Sequence, residues 1–276
     1  MRGLAVILAA TTIVACGDQT PQSHAAAHAL VPTPATKEDF GRAADALLAE
    51  IGEPGQRVSM PEADDPVTQR FLVQARGLTE SLGTSAQPAA SLEEFDSICG
   101  KGTKVLITYG LAGLSTQVNK DTNQSEVAAI AQRVMGENFK KYFTVFFPTM
   151  LFNQHCTSAY MPAAERLFTE LPTGQFTPAR AEGLRKVRRG VLEAIQGALT
   201  IASDPGITAK GRGIILTQLE TDWDGLVLAL PAAERTNLAA GIAKLSATFP
   251  ADERARVAKL ALRVSDVKCS ALCSIP

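Results

Sequence analysis

The sequence predicts an all-α protein of about nine or ten helices, arranged as a multi-helix bundle or as stacked helical hairpins. Three observations lead to this expectation. Apolar residues recur every three or four positions along most of the chain after Lys37, which is the period of a half-buried helix. Residues that suit helix starts precede several of these stripes. Finally, no two segments have the pattern of strands that could pair with each other.

Three helices are predicted before residue 100, and they begin near residues 37, 65 and 91. Thr36 can cap the first helix, and Asp65-Pro66 can begin the second because proline is tolerated in a first turn. Ser91 and Glu94 have the spacing of a capping box, which predicts a short third helix that ends near Cys99.

The middle of the chain is less regular. KVLITYGLAGLS (104–115) begins with β-branched residues, so a strand is one interpretation. A buried helix is favoured because no partner strand is visible. Residues 125–147 predict a longer helix that is interrupted near Pro148. The segment LPTGQFTP (171–178) contains proline and glycine, and it is the best candidate for a boundary within the body.

Apolar stripes predict four helices in the last hundred residues. Their members include Leu184, Val187, Val191, Ile195, Ala198 and Ala202; Leu219, Trp223, Leu226 and Leu230; Leu238, Ile242 and Leu245; Val257, Leu260, Val264 and Val267. MPAAER (161–166), LPAAER (230–235) and FPADER (249–254) share one pattern. A helical array is one interpretation. Independent use of a good helix start is favoured, because the copies do not extend beyond it.

The first fifteen residues predict a secretory signal, because Arg2 precedes an apolar run of about a dozen residues, fewer than the ~20 that span a bilayer. The tetrapeptide IVAC (13–16) resembles the lipobox of bacterial lipoproteins. The resemblance implies cleavage before Cys16 and lipidation of that residue. Residues 17–36 contain three prolines and many small or polar residues, which predicts a flexible tether, so residues 16–36 are the lipidated cysteine and tether and 37–276 are the helical body. A plain secreted protein is the alternative.

The position after the lipobox bears on the location of the protein. In lipoproteins of this class, Asp directly after the lipidated cysteine favours the inner membrane. Here Gly17 takes that position and Asp18 follows. The resemblance therefore implies a lipid-anchored protein on the periplasmic side of the outer membrane, with the inner membrane as the alternative.

Composition narrows the classes of function. The chain has 27 basic and 28 acidic side chains, so charge gives no support for nucleic-acid binding. With Cys16 set aside, four cysteines remain, which suggests two disulfides in an oxidising compartment. Cys99–Cys156 with Cys269–Cys273 is the favoured pairing, and the alternatives tie the C-terminal tail to Cys99 or Cys156.

No catalytic, cofactor or metal signature is present. The motifs of serine hydrolases, zinc proteases and phosphate loops are absent. His155 beside Cys156 has the residue types of a nucleophile pair, but neighbours in a helix point apart. Glu220, Asp222 and Asp224 suggest a calcium site, yet a solvated helix face is the simpler interpretation. We therefore expect no enzyme, no cofactor and no metal.

Two clusters are candidates for binding. Phe139, Tyr142, Phe143, Phe146, Phe147 and Phe152 form an aromatic stretch, interpreted as core or as an apolar pocket or lipid-facing patch. Arg180, Arg185, Lys186, Arg188 and Arg189 crowd the start of one helix, where cations oppose the helix dipole. This basic cluster is interpreted as a solvated face or as a contact for an anionic partner.

The sequence supports three hypotheses of function. The first is a cell-envelope lipoprotein that works by binding, as a periplasm-facing scaffold or accessory subunit of a membrane complex. The second is a carrier or sensor for an apolar ligand or lipid, and the third is a periplasmic enzyme. A closed aromatic core with an exposed basic cluster favours the first, and a pocket lined by the aromatic stretch favours the second.

Overall fold

The computed structural model describes residues 35–172, 175–269 and 271–275. These residues form nine α-helices and no strand, so the predicted all-α class is confirmed. The helices are α1 (Lys37–Ile51), α2 (Pro66–Ser81), α3 (Leu92–Gly110), α4 (Gln124–Lys141), α5 (Phe143–Glu170), α6 (Pro178–Ser203), α7 (Ala209–Leu228), α8 (Ala232–Ser246) and α9 (Ala251–Arg263). The predicted signal segment, Cys16 and most of the predicted tether lie outside the described residues.

Helix α3 joins two segments that the sequence separates. The predicted short helix continues past Cys99 through Gly100 and Gly102 to Gly110. Each glycine weakens a helix by up to about 1 kcal/mol. The same helix buries Val105 and Tyr109 almost completely, and this burial offsets the cost. The helical interpretation of the ambiguous stretch is therefore correct as far as Gly110.

The interruption expected near Pro148 lies instead at Tyr142, between α4 and α5. Tyr142 ends α4 because its buried hydroxyl accepts a hydrogen bond from the backbone of Met60 at 3.1 Å. Pro148 lies inside α5. Because proline has no backbone N–H, the helical hydrogen bond to the carbonyl of Thr144 is missing. Thr144 is exposed, so water can satisfy that carbonyl.

The three copies of the proline pattern do not share one role. Pro231 and Pro250 are the N-caps of α8 and α9, as a helix-start pattern requires. Pro162 lies within α5, so the first copy starts no helix. Pro162 is exposed, and its ring therefore fits a helix interior without displacing core side chains.

The described chain divides into two compact units. The N-terminal unit comprises residues 35–81 and 100–152, and the C-terminal unit comprises residues 82–99 and those from 153 onward. The chain passes into the C-terminal unit between residues 81 and 82, returns to the N-terminal unit within α3, and enters the C-terminal unit again within α5. The expected boundary segment (171–178) instead links α5 to α6 inside the C-terminal unit. Helix interiors carry no proline- or glycine-rich signal, so composition could not locate these transitions.

The core of the N-terminal unit is largely aromatic. Phe40 on α1 stacks on Phe152 at 4.4 Å between ring centroids and lies 5.7 Å from Phe71 on α2. Tyr109 and Tyr142 meet edge to face at 5.5 Å. All five rings are fully buried, which makes them the main apolar contribution to this unit.

The core of the C-terminal unit is built from the predicted stripes. Helix α7 packs on α6 and α9, and α9 packs on α8. Trp223 is the largest fully buried side chain. Gly225 marks the closest approach of α7 to α5, because a Cβ there would lie 2.3 Å from Ser158 Oγ and 2.4 Å from the Ser158 carbonyl oxygen.

Candidate functional site

The N-terminal half of α6 carries an exposed basic face, which we define as Arg185, Lys186 and Arg189. Arg180 is also exposed, but it lies in the first turn on another side of the helix, and its guanidinium donates to the carbonyl oxygen of Gln175. The local sequence fixes this start, because Thr177 Oγ1 caps the helix through the backbone N–H of Arg180 and Pro178 occupies the first turn. The dipole of a helix acts mainly on its first turn, so it disfavours the charge of Arg180 and has little effect on the three cations of the basic face.

Glu182 lies among these cations. Arg185 donates to Glu182 Oε2 at 3.0 Å, and both side chains are about half exposed, at 51% and 52%. The hydrogen bond from Arg185 lowers the pKa of Glu182, and the charges of Arg185, Lys186 and Arg189 lower it further. A second carboxylate, Glu193, lies near Arg189: burial raises its pKa, and the charge of Arg189 lowers it in part. Three cations therefore face two carboxylates, and this face keeps a net positive charge.

Arg188 differs from the other members of the predicted basic cluster. It is 3% exposed, and its guanidinium donates to the carbonyl oxygens of Ala229, Leu272 and Ile275. It therefore cannot serve as a surface contact for an anionic partner, and this part of the prediction is wrong. The physical reason is its position in the apolar stripe of α6, four residues after Leu184.

Arg188 instead belongs to a set of groups that holds the C-terminal segment (264–275). The Glu165 carboxylate accepts from the backbone N–H groups of Ala271 and Leu272, each at 2.8 Å. Arg235 donates to the carbonyl oxygens of Leu230 and Val267. The side chain of Leu272 is fully buried in a cluster with Met161, Ala164, Leu184 and Ala229. Charge-assisted hydrogen bonds thus hold both backbone N–H groups and backbone carbonyl groups of this segment.

The four cysteines of the body are placed in the favoured pairing. The sulfur atoms of Cys99 and Cys156 are 1.98 Å apart, and those of Cys269 and Cys273 are 2.10 Å apart. Cys156 is thus committed to a disulfide and is no nucleophile. Cys16, the candidate lipidation site, lies outside the described residues.

His155 faces away from its neighbour Cys156 and lies in a polar network on α5 and α7. Its Nδ1 is 2.6 Å from Asp222 Oδ1, and its Nε2 is 3.1 Å from the carbonyl oxygen of Leu82. Gln154 and Gln218 donate to Asp222 Oδ2 at 3.1 and 2.8 Å. Asp222 is only 1% exposed, so these donors replace the water that the carboxylate loses.

The aromatic stretch is divided between two environments. Tyr142, Phe146 and Phe152 are buried in the core of the N-terminal unit. Phe139, Phe143 and Phe147 are only partly buried, and they form an aromatic row. Phe139 and Phe143 meet edge to face at 5.5 Å, and Phe143 stacks on Phe147 at 5.3 Å. Half of the stretch is therefore core, and half reaches the surface.

The acidic run on α7 is divided by ion pairs. Arg256 on α9 donates to Glu220 at 2.8 Å, and Arg263 donates to Asp224 at 2.7 Å. Asp222 points inward to His155. Within the described ranges, no three His, Cys, Asp or Glu side chains form a group that could hold a metal ion. Glu220 and Asp224 thus join α7 to α9.

Three charged residues point inward although the sequence did not predict it: Arg188, Arg212 and Asp222. Each occupies a position on the apolar stripe of its helix, at a spacing of three or four residues from buried neighbours. That register is the signal that could have identified them, because a charge on an apolar stripe must be buried with partners.

Comparison of the chain with protein-family models, with curated proteins and with solved structures gives no match in any of the three. Along the described residues, no helix combines the length and apolarity needed to cross a membrane.

Proposed function

We propose that this protein is a cell-envelope lipoprotein that works by binding, as a periplasm-facing scaffold or accessory subunit. The observation that carries the proposal is the exposed basic face of α6. Its three exposed cations outnumber the two nearby carboxylates, those of Glu182 and Glu193, so the face keeps a net positive charge. An acidic partner surface complements this excess of positive charge.

The basic face fits a protein partner with an acidic patch. Its members are exposed, so they contribute mainly to the rate and selectivity of association, and their effect falls with salt. The C-terminal segment supports the same role, because buried Arg188 and partly buried Glu165 hold it against α6 and α5. A binding surface on a rigid element costs less entropy when it docks.

Attachment through Cys16 completes the proposal. With four body cysteines placed in two disulfides, Cys16 is the one cysteine left without a pair, as a lipidated residue would be. The expected site is the periplasmic side of the outer membrane, with the inner membrane as the alternative. Cys16→Ser is expected to release the protein from the membrane fraction. Continued sedimentation with the outer membrane would contradict the anchor.

Photo-crosslinking in intact cells tests the basic face directly. A photoreactive residue at position 186 is expected to give an adduct with one envelope protein, and the same residue at position 244, exposed on α8, is expected to give none. Arg185→Glu with Arg189→Glu should reduce the adduct at least tenfold. Lys210→Glu with Lys244→Glu, an equal charge change in the same unit, should leave it intact. Equal effects of the two double variants would refute the proposal.

The proposal includes no catalytic activity, cofactor or metal. Its support is that the residues suggested for chemistry have other partners: the described cysteines are paired, and both ring nitrogens of His155 face acceptors. The near balance of charge supports a partner other than nucleic acid.

A carrier or sensor for an apolar ligand or lipid is the second candidate, favoured by the aromatic row of Phe139, Phe143 and Phe147. Titration with a fluorescent fatty acid tests it. Saturable binding that Phe143→Ser removes, and that Val73→Ser on the exposed surface of α2 preserves, would support this candidate. Equal, unsaturable uptake by both variants would eliminate it.

A further inference from the structure

We propose that His155 is a pH-dependent latch that fastens the loop 82–87 to α5, and that loss of its ring proton releases this loop. The inference is separate from the proposed partner binding and from the lipid anchor. It rests on the two acceptors that flank one imidazole ring in the C-terminal unit.

The two contacts of the ring require two protons. Asp222 Oδ1 and the carbonyl oxygen of Leu82 are both acceptors, and they lie 2.6 and 3.1 Å from Nδ1 and Nε2. Only the imidazolium form carries an N–H on each nitrogen, so the observed arrangement is that of the charged ring. A neutral ring keeps one N–H and must abandon one of the two acceptors.

The acceptor that the neutral ring abandons is the carbonyl of Leu82. Asp222 is buried and charged, so its hydrogen bond to Nδ1 is the stronger of the two. Gln154 and Gln218 bind its other oxygen and fix the carboxylate in place. The remaining proton therefore stays on Nδ1, and the lone pair of Nε2 then faces the lone pairs of the carbonyl oxygen.

The loop is a closed turn that lies beside α5. Gly83 N–H donates to the carbonyl of Gln87 at 2.8 Å, which closes the loop on itself, and residues 83–86 are exposed. Gly83 has a positive φ of 80°, and its backbone lies so close to α5 that a Cβ would be 3.2 Å from Ala159 Cβ. The contact between His155 and the Leu82 carbonyl thus lies one turn of α5 before the point where the backbone of Gly83 packs against Ala159.

The electrostatic environment of the ring is simple. Among the described residues, Asp222 on α7 is the charged group that acts on His155, and Gln218 Nε2 lies 3.4 Å from Nδ1. Burial lowers the pKa of His155, but the hydrogen bond and charge of Asp222, with the Leu82 carbonyl, raise it above its ordinary value of 6.5. The latch is therefore closed below pH 6.5 and opens as pH rises through the raised pKa of His155.

Hydrogen exchange of the full chain tests the latch. After correction for the intrinsic pH dependence, the amides of Gly83 and Gln87 should lose about tenfold protection across the titration of His155, the effect of one charge-assisted hydrogen bond. Asp222→Asn removes the charge that favours the imidazolium, so the step should move to lower pH. His155→Gln should abolish the step. Protection that is independent of pH, or a step that persists in His155→Gln, would overturn the proposal.

A second measurement needs no variant. Nitrogen-15 NMR of the imidazole should show two ring N–H groups for His155 below the step and one, on Nδ1, above it. A proton that remains on Nε2 above the step would keep the contact with Leu82, and it would overturn the proposal even if the variants fail to fold.

Discussion

Charged residues on the apolar side of helices set much of the internal order of the C-terminal unit. Arg212 donates to the carbonyl oxygens of Ala202 and Ile207 and forms an ion pair with Glu253 at 3.2 Å. Arg188 donates to three backbone carbonyl oxygens. Asp222 is bound by His155, Gln154 and Gln218. Such groups add little net stability when paired, but losing one partner of a buried charge costs about 3–5 kcal/mol. Their main effect is to make one arrangement much better than its alternatives.

Arg188→Ala should destabilise the protein by about 2–4 kcal/mol, because three carbonyl oxygens would lose their donor inside the protein. Arg185→Ala, three residues earlier and half exposed, should cost less than about 1 kcal/mol. Urea denaturation with the disulfides intact measures both. Equal effects would mean that Arg188 is not the anchor of the C-terminal segment.

Gly225→Ala should be among the most damaging single-methyl changes in the chain. The added Cβ would meet the backbone of Ser158 at 2.4 Å, so α5 and α7 must separate, at a cost of about 2–3 kcal/mol or more. Gly241 on α8 has open space around its Cβ position, so Gly241→Ala should be neutral or stabilise by up to about 1 kcal/mol. Thermal unfolding of both variants distinguishes close packing from a general intolerance of alanine.

At the scale of whole elements, apolar periodicity was sufficient to predict the stripes of α6 to α9: most of these residues are buried, and Val187, Leu245 and Val267 are partly buried. It could not predict where α4 ends, because Tyr142 ends that helix through a hydrogen bond to Met60, eighty-two residues earlier. Long-range contacts of this kind have no local signal. The same limit explains why the network of His155, Leu82 and Asp222 was missed: its members come from three separate segments.

The two disulfides should differ in their effect on stability. Cys99 and Cys156 are separated by 57 residues and are almost fully buried, whereas Cys269 and Cys273 are four apart. In the chain-entropy model these loops correspond to about 4 and about 2 kcal/mol. Replacing both cysteines of each pair by serine, one pair at a time, and measuring denaturant midpoints tests the order. A larger loss from the C-terminal pair would show that anchoring of the tail outweighs loop entropy.

For the molecule as a whole, the exposed charges are close to balance, so pH acts on stability mainly through individual groups rather than through net charge. Burial raises the pKa of Tyr109 to about 12, and a hydrogen bond to Arg256 lowers the pKa of Glu220. The contribution of Tyr109 to the free energy of unfolding is lost as pH rises from about 10 towards 12. The contribution of Glu220 is lost as pH falls below 4.5, the ordinary pKa of a glutamate. Between these limits, the C-terminal unit holds two described groups with shifted pKa values: Glu193, whose pKa burial raises from its ordinary value of 4.5, and His155. In the N-terminal unit, burial raises the pKa of Tyr142, but hydrogen bonds with Lys141 and Met60 bring it below its ordinary value of 10.

The free energy of unfolding of the C-terminal unit should therefore decline as pH rises above 6.5. The pKa of His155 is raised in the folded state, so its contribution is fully present below pH 6.5 and is lost as pH rises through the folded-state pKa. Trp223, the single tryptophan, is buried one residue after Asp222, so its fluorescence reports unfolding of this unit. Urea titrations followed at Trp223 should give falling midpoints between pH 6 and pH 9 in the native chain and constant midpoints in His155→Gln. Midpoints that fall equally in both proteins would assign the pH dependence to groups other than His155.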